Sequence, residues 1–274
     1  MVPDGGLKKL LNGAGFVFQL AVEAQIADNR RTFQCNDLIR EHPWFHKQLQ
    51  NSGFIDLVVT KGVGRFVVEC KRSKNARWVF LDTAPGGSRT SAAQVYWHCR
   101  LSESKVAGGW DDVGIFPECP ESQFCCIRGA EDNKQVLLDR ICSDLVAATE
   151  ALSAEELEFD ASDFGQHYVY MPVLVTNAEL VVGNFDPSTV NLGSGEVEDA
   201  SFEVVGAVRY RKALTAVSAT ASVSSLVESN ARNERTVFIV NATHLIDWLK
   251  NWKPVPRDSF RGFVWDQVKR QFGA

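Results

Sequence analysis

Two apolar runs separated by a glycine-containing segment constrain the fold of this chain more than any other feature. The runs cover residues 54–60 and 65–71, are rich in Val, Ile and Phe, and flank the segment Lys61-Gly-Val-Gly64. β-Branched and aromatic residues favour extended backbone, and glycines favour a tight reversal of the chain. The sequence therefore predicts a β-hairpin, and a loop formed by residues 61–64 makes Thr60 face Arg65.

Side-chain alternation along the second strand collects charged residues on one face. Glu69 and Lys71 share that face with Val67, whereas Cys70 points to the opposite face. Counting back from the turn puts Asp56 opposite Glu69, and the Cβ atoms of facing residues lie about 4.5–5.5 Å apart. Because two carboxylates at that separation repel each other, we expect a cation between them. A hard divalent ion such as Mg²⁺ suits carboxylate oxygens.

The pattern of Asp56 followed by Glu69-Cys70-Lys71 resembles the PD-(D/E)XK nuclease superfamily, which has the restriction-endonuclease-like fold. In that group an aspartate on one strand of a hairpin precedes an E-x-K triplet on the next strand. The apolar lead-in Phe66-Val67-Val68 and the basic Arg72 also fit the pattern. Ile55 departs from it, because a proline often precedes the aspartate in that group.

The resemblance implies an α/β fold in which helices flank a central mixed β-sheet. We expect a single domain over residues 1–274, with a restriction-endonuclease-like core over about residues 7–130. Strand-like runs after residue 160 predict that the rest, about 131–274, is a C-terminal extension of the sheet. Residues 91–100 are expected to form a helix, and Pro172 suits an edge strand or a bulge.

The resemblance also implies Mg²⁺-dependent hydrolysis of phosphodiester bonds, with Mn²⁺ able to replace Mg²⁺. Asp56, Glu69 and the backbone carbonyl of Cys70 are the expected metal ligands. Lys71 is expected to position water or to offset charge that develops on the phosphate. The resemblance favours DNA over RNA as the substrate. It is consistent with endonuclease activity and with a homodimer.

Two further polar residues are candidates for the same site. Residues 15–28 predict a helix on which Glu23 shares a stripe with Phe16, Leu20 and Ala27, so that its carboxylate needs a cation or a donor. In the related nucleases an acid on the first helix often joins the metal site. The alternative is a glutamate at the rim that pairs with Arg30 or Arg31. A polar residue on the helix after the triplet often reaches the site too, and Gln94 is the candidate for that role.

Basic residues are concentrated around the E-x-K triplet. Between Lys61 and Arg77 there are six basic residues and one acid, although the whole chain has a formal net charge of −5. This contrast favours a focused anionic ligand such as a phosphate backbone, and solvated loop charges are the alternative. The candidate nucleic-acid-binding residues are Lys61, Arg65, Arg72, Lys74, Arg77 and Arg89.

Other motifs narrow the choice of function class. The chain has no apolar run of 18 residues and no Cys-x-x-Cys spacing among its seven cysteines, so we expect a cytoplasmic protein without a membrane span. It also lacks the Gly-x-Ser-x-Gly, phosphate-loop and Gly-x-Gly-x-x-Gly motifs. Three alternatives stay open: a catalytically inactive nucleic-acid-binding protein, an enzyme that cuts RNA, and a structural or interaction protein with an ordinary salt-bridged hairpin.

Overall fold

The computed structural model describes residues 4–73, 77–83, 89–102, 105–128, 134–159, 166–214, 225–254 and 257–272. Helices and strands occupy most of these ranges. The helices are α1 (Asp4–Gly13), α2 (Gly15–Asp28), α3 (Lys134–Phe159), α4 (Leu226–Asn233), α5 (Leu245–Asn251) and α6 (Arg257–Phe272). The strands are β1 (Leu38–His46), β2 (Asn51–Lys61), β3 (Gly64–Lys71), β4 (Arg77–Asp82), β5 (Arg89–Ser102), β6 (Lys105–Ser122), β7 (Cys125–Arg128), β8 (His167–Thr176), β9 (Glu179–Asn184), β10 (Ser201–Val205), β11 (Ala207–Ala213), β12 (Glu234–Asn241) and β13 (Lys253–Pro254).

A large mixed β-sheet is the centre of the described structure. Its nine described strands follow the order β1-β2-β3-β8-β12-β11-β6-β13, and β5 pairs with both β6 and β8. Strands β1, β2 and β3 are antiparallel neighbours, whereas β8 runs parallel to β3 and to β12. A parallel neighbour requires a long crossover connection, and α3 lies within the connection between β3 and β8.

Helices and a second sheet cover the two faces of the large sheet. Apolar side chains of α2, α5 and α6, such as Ile26, Trp248 and Val264, pack with one face. Helix α3 packs on the other face together with a four-stranded sheet of order β10-β9-β4-β7. The predicted α/β architecture, with a mixed sheet flanked by helices, is therefore confirmed.

The predicted hairpin is formed by β2 and β3 in the expected register. Thr60 pairs with Arg65, and Lys61 pairs with Gly64. Gly62 adopts a positive φ of 55°, a conformation that glycine adopts at little cost. A Cβ atom added to Gly64 would lie 2.6 Å from the ring of Trp252, so this position accepts no side chain without a shift of that ring.

Helix α2 has the predicted bounds but not the predicted inner face. Phe16 is 69% exposed and Leu20 is 47% exposed, so the proposed stripe through Glu23 lies away from the core. The buried residues are instead Gln19, Val22 and Ile26. Because α2 itself carries apolar residues on nearly all of its faces, helical periodicity alone could not identify the face that packs on the sheet.

The helix predicted for residues 91–100 is wrong, because this segment belongs to β5. Ala93, Val95, Trp97 and Cys99 alternate into one core, and β5 pairs with β6 along most of its length. This alternation has the two-residue period of a strand, and Gln94 and His98 on the opposite face are buried as well. Pairing with β6 therefore outweighs the local preference of the alanines.

Pro172 lies in the middle of the large sheet and not at an edge, which corrects the expectation for this residue. Val169 N–H donates to Val63 O on the β3 side, so strand alternation turns the Pro172 nitrogen to the opposite side. On that side the pairing of β8 with β5 ends at Tyr170, and its pairing with β12 begins at Val173. The missing N–H therefore falls where β8 changes partner, and no ladder hydrogen bond is lost.

Within the described ranges, no single helix has the length and apolar composition needed to cross a membrane. Residues Gly6–Gly13 and Gly15–Asp28 meet that requirement only as a pair, and the two helices are bent by 69°.

Candidate functional site

Asp56 lies where the β2–β3 ladder ends, beside Glu69. The last paired residues are Leu57 and Val68. Ile55 packs in the core that faces α3, whereas Leu57 packs in the opposite core, so the regular alternation of β2 shifts at Asp56. Its carboxylate is turned towards β3, and its Oδ2 accepts a hydrogen bond from Cys70 N–H at 2.7 Å. The side chain thus takes the place of a backbone acceptor.

The backbone around Asp56 is held by α2 and β1. The buried Gln19 amide donates to the Asp56 carbonyl oxygen at 3.4 Å and to the carboxylate of Glu41. Glu41 adopts a positive φ of 53°, so β1 is irregular next to the shift in β2. These contacts hold the backbone where the regular alternation of β2 is interrupted at Asp56.

The electrostatics of the site follow from crowding of negative charge in a partly buried place. Burial and the neighbouring Glu69 carboxylate raise the pKa of Asp56 to about 6, while the Cys70 N–H and Lys71 oppose that rise. Lys71 Nζ lies 2.6 Å from Glu69 Oε1 and offsets part of the charge. The predicted proximity of the two acids and the ammonium group is therefore present.

Glu69 and Lys71 open onto a cleft of about 470 Å³ between the sheet and α3. Gly53 and Ile55 of β2 contribute to the same wall, and Trp44 of β1 adds an aromatic ring. Side chains of α3 form the opposite wall. The charged groups at the end of the hairpin thus face an enclosed space large enough for a ligand.

The donors around this cleft fit Mg²⁺ in a site completed by substrate and water. Among the described residues, no group of three or more His, Cys, Asp or Glu side chains is arranged to hold a metal ion. Mg²⁺ needs no such group, since one or two carboxylates, waters and phosphate oxygens commonly complete its shell. Asp56 and Glu69 are the carboxylates that would belong to such a site, although only Glu69 lines the cleft. In a strand the Cys70 carbonyl points to the same edge as its N–H.

The other two predicted site residues do not join this group. Glu23 Oε2 lies 3.4 Å from Arg40 Nε, which matches the ion-pair alternative although the partner differs from the expected Arg30 or Arg31. Gln94 lies on β5, which β8 separates from β3. Its side-chain Oε1 is buried without a hydrogen-bond partner. Neither side chain is placed beside Asp56.

Two predicted nucleic-acid-binding residues of the hairpin have partners inside the protein. Lys61 Nζ donates to the carbonyl oxygens of Leu249, Lys250 and Trp252 at the end of α5, at 2.7–3.0 Å. Arg65 Nε lies 2.7 Å from Glu156 Oε1, and its guanidinium stacks over an aromatic ring of β8. Both basic groups stabilise the fold at the turn end of the hairpin, away from the acid pair.

The remaining predicted basic residues are spread over the molecule. Arg77 forms an ion pair with a carboxylate of β9, and Arg89 pairs with a carboxylate of β10. Arg72 is exposed and directly follows Lys71. Lys74 lies outside the described residues. The basic strip read from the sequence is therefore not one continuous surface.

Several residues of the cleft were missed by sequence reasoning. Arg140 and Asp144 on α3 line it, and Asn51 Nδ2 donates to Asp144 Oδ1 at 3.2 Å. The i, i+4 spacing of Arg140 and Asp144, beside Leu137 and Ile141, was a signal for a shared helix face. Nothing local connected that face with the hairpin, because a crossover segment separates them in the chain.

The chain matches no protein-family model, no curated protein and no solved structure. Its function must therefore be inferred from the chemistry of the cleft. Glu69 and Lys71 line it from β3, and Arg140 and Asp144 line it from α3. Asp56 lies beside Glu69 at the end of the hairpin.

Proposed function

We propose that this protein is a Mg²⁺-dependent nuclease with a restriction-endonuclease-like core, which hydrolyses phosphodiester bonds of nucleic acid. The observation that carries the proposal is the placement of Asp56, Glu69 and Lys71 together at one end of a hairpin that opens onto a cleft. The resemblance of these residues to the PD-(D/E)XK pattern supports the same activity and favours DNA as the substrate.

Asp56, Glu69 and the Cys70 carbonyl would hold the metal ion. When bound, Mg²⁺ would polarise the scissile phosphate and make a nucleophile available at neutral pH. The protein contributes a fixed geometry: Cys70 N–H holds one carboxylate, and pairing of β3 with β8 holds the strand that carries the other. Preorganised ligands of this kind need no rearrangement at the moment of reaction.

Lys71 has a different role from the acids. Its ammonium group lies 2.6 Å from Glu69 Oε1. Lys71 would donate from this position to a phosphate oxygen of the substrate. There it would offset the charge that grows on the phosphate in the transition state.

The experiment compares Glu69→Gln and Lys71→Met with wild type on DNA and RNA oligonucleotides and on plasmid DNA, with Mg²⁺ or Mn²⁺. We expect each variant to lose at least about 100-fold in kcat, because it removes a charge that acts in the transition state. Glu158→Gln is the matched control, since this α3 carboxylate is 68% exposed and pairs with Lys47. Wild-type cleavage by Glu69→Gln would reject the proposal.

The Lys71–Glu69 ion pair also favours a second candidate, a protein that binds nucleic acid without cutting it. The Lys71 ammonium group gives Glu69 a cationic partner within the protein itself. This candidate predicts salt-dependent binding of oligonucleotides but no Mg²⁺-dependent product. If binding is absent as well, the salt-bridged hairpin is a structural feature.

A further inference from the structure

One face of α3 forms the wall of the cleft that lies opposite Glu69 and Lys71. Six of its residues line the cleft at helical spacing: Leu137, Arg140, Ile141, Asp144, Leu145 and Ala148. These positions follow the i, i+3, i+4 and i+7 rule of a single helix face. The wall is thus a continuous surface that combines apolar side chains with one cation, Arg140, and one carboxylate, Asp144, which accepts a hydrogen bond from Asn51.

Arg140 is the basic residue that α3 contributes to this wall. Its side chain is exposed, and within the described ranges it makes no hydrogen bond or ion pair. A guanidinium offers several donors in a planar fork that matches two phosphate oxygens. Arg140 and Lys71 therefore bring positive charge to the cleft from opposite walls.

The apolar part of the same wall is suited to packing against a nucleobase. Leu137 is 40% exposed although it points into the cleft, and Ile141 lies one turn further along the helix. Trp44 lines the cleft from the sheet side. Apolar and aromatic side chains bind the faces of unstacked bases without regard to sequence, whereas a duplex keeps those faces stacked.

The size of the cleft also favours one strand. Its volume of about 470 Å³ falls within the range of roughly 300–1,000 Å³ that holds a single small ligand. A space of that size accepts a nucleotide or two and does not enclose two paired strands.

We propose that the cleft takes single-stranded nucleic acid, with Arg140 as a positioning residue that binds a phosphate next to the scissile one. This proposal rests on the proposed function. A nucleobase of the strand packs against Leu137 and Ile141, while the adjoining phosphate binds Arg140 and the scissile phosphate lies beside Lys71. Strand ends, overhangs and unpaired regions are then the substrates, and the interior of an intact duplex is not.

The first test measures cleavage and binding of one fluorescein-labelled 20-nucleotide sequence presented as single-stranded DNA, single-stranded RNA, blunt duplex DNA and duplex DNA with an overhang. We expect single strands and overhangs to be cut at least about tenfold faster than the blunt duplex. Equal or faster cutting of the blunt duplex would overturn the single-strand proposal and leave the nuclease proposal intact. Single-strand binding without cutting of any substrate would reject the nuclease proposal alone.

The second test replaces Arg140 with Ala, and with Lys as the conservative variant. Binding of the labelled single-stranded DNA is measured in the Glu69→Gln background, so that cleavage does not interfere. We expect Arg140→Ala to weaken binding at least about fivefold and to lower the slope of log K against log salt by about 0.7, the value for one lost phosphate contact on a single strand. Arg140→Lys should recover most of that slope.

Arg232→Ala is the matched control, because Arg232 on the exposed helix α4 pairs with Glu228 of the same helix. It should change neither the affinity nor the salt slope. An unchanged salt slope in Arg140→Ala would show that Arg140 makes no phosphate contact and would overturn its assigned role. Thermal unfolding of each variant separates this effect from a loss of the fold.

Discussion

At the scale of single residues, Asp56 shows how an acid is brought to a site by an irregularity in a strand. The shift in alternation at Asp56 turns its carboxylate to Cys70 N–H, so the hydrogen-bonding demand of β3 is satisfied by a side chain. That arrangement keeps the carboxylate close to Glu69 although the two repel each other. The protein thus accepts an electrostatic cost at a place where a cation would relieve it.

The raised pKa of Asp56 predicts a pH dependence of stability in the absence of divalent ions. Its folded-state pKa of about 6 lies above the ordinary value of 3.8, so folding favours the protonated form. The stabilisation of the folded state by protonated Asp56 is complete below pH 4 and is lost as the pH rises through 6. We expect the free energy of unfolding of wild type to fall by about 1–2 kcal/mol from pH 4 to pH 7, after allowance for solvent screening. The Asp56→Asn variant should not show this fall.

Urea unfolding at several pH values in the presence of a chelator measures this difference. Asp266→Asn serves as the control, because Asp266 is exposed on α6, on the other side of the large sheet. If wild type and Asp56→Asn have parallel stability curves over this range, then the carboxylate of Asp56 is not destabilised in the folded protein.

The sequence predicted which residues carry the candidate site but not how each is held. The turn around Gly62 is local, so the register that brings Asp56 and Glu69 together could be counted from it. The alternation of β3 is local too, and it puts Lys71 on the same face as Glu69. The shift at Asp56 could not be predicted, because it depends on contacts with Gln19 and Glu41 from other elements.

At the scale of elements, Lys61 connects the hairpin with a helix far along the chain. Its ammonium group donates to three carbonyl oxygens at the end of α5, where the helix has unsatisfied acceptors and partial negative charge. Sequence reasoning assigned this lysine to nucleic acid. Its position relative to α5 depends on tertiary packing, which no local pattern shows.

We expect Lys61→Met to lower the free energy of unfolding by about 1–3 kcal/mol, because it leaves several carbonyl groups without a charged donor. Its affinity for single-stranded DNA should equal that of wild type. Chemical denaturation and fluorescence anisotropy measure the two quantities, with Lys250→Met as the control on the exposed side of α5. A loss of DNA affinity without a loss of stability would restore the original assignment of Lys61.

At the scale of the whole molecule, the second half of the chain completes the sheet that carries the acids. Strand β8 lies between β3 and β12, so the predicted boundary near residue 130 does not separate two independent layers. The α/β class was implied by the resemblance of the hairpin residues to a known nuclease pattern. The pairing of β3 with β8 was not predictable, because parallel partners are set by a crossover and not by a neighbouring turn.

This continuity predicts that the protein unfolds in one cooperative transition. Tryptophan fluorescence and far-ultraviolet circular dichroism should give the same midpoint in urea, since tryptophans such as Trp97, Trp248 and Trp252 share one core with the strands. Two separated midpoints would show that part of the sheet unfolds independently of the hairpin.

The central position of β8 has a consequence for biosynthesis. A ribosome releases β2 and β3 long before β8, so a nascent chain carries both acids while the strand that must lie beside them does not yet exist. Products of premature termination would keep the E-x-K triplet without its neighbouring strand. A shortened chain of this kind would expose the edge of β3, from Gly64 to Lys71, that β8 covers in the complete sheet.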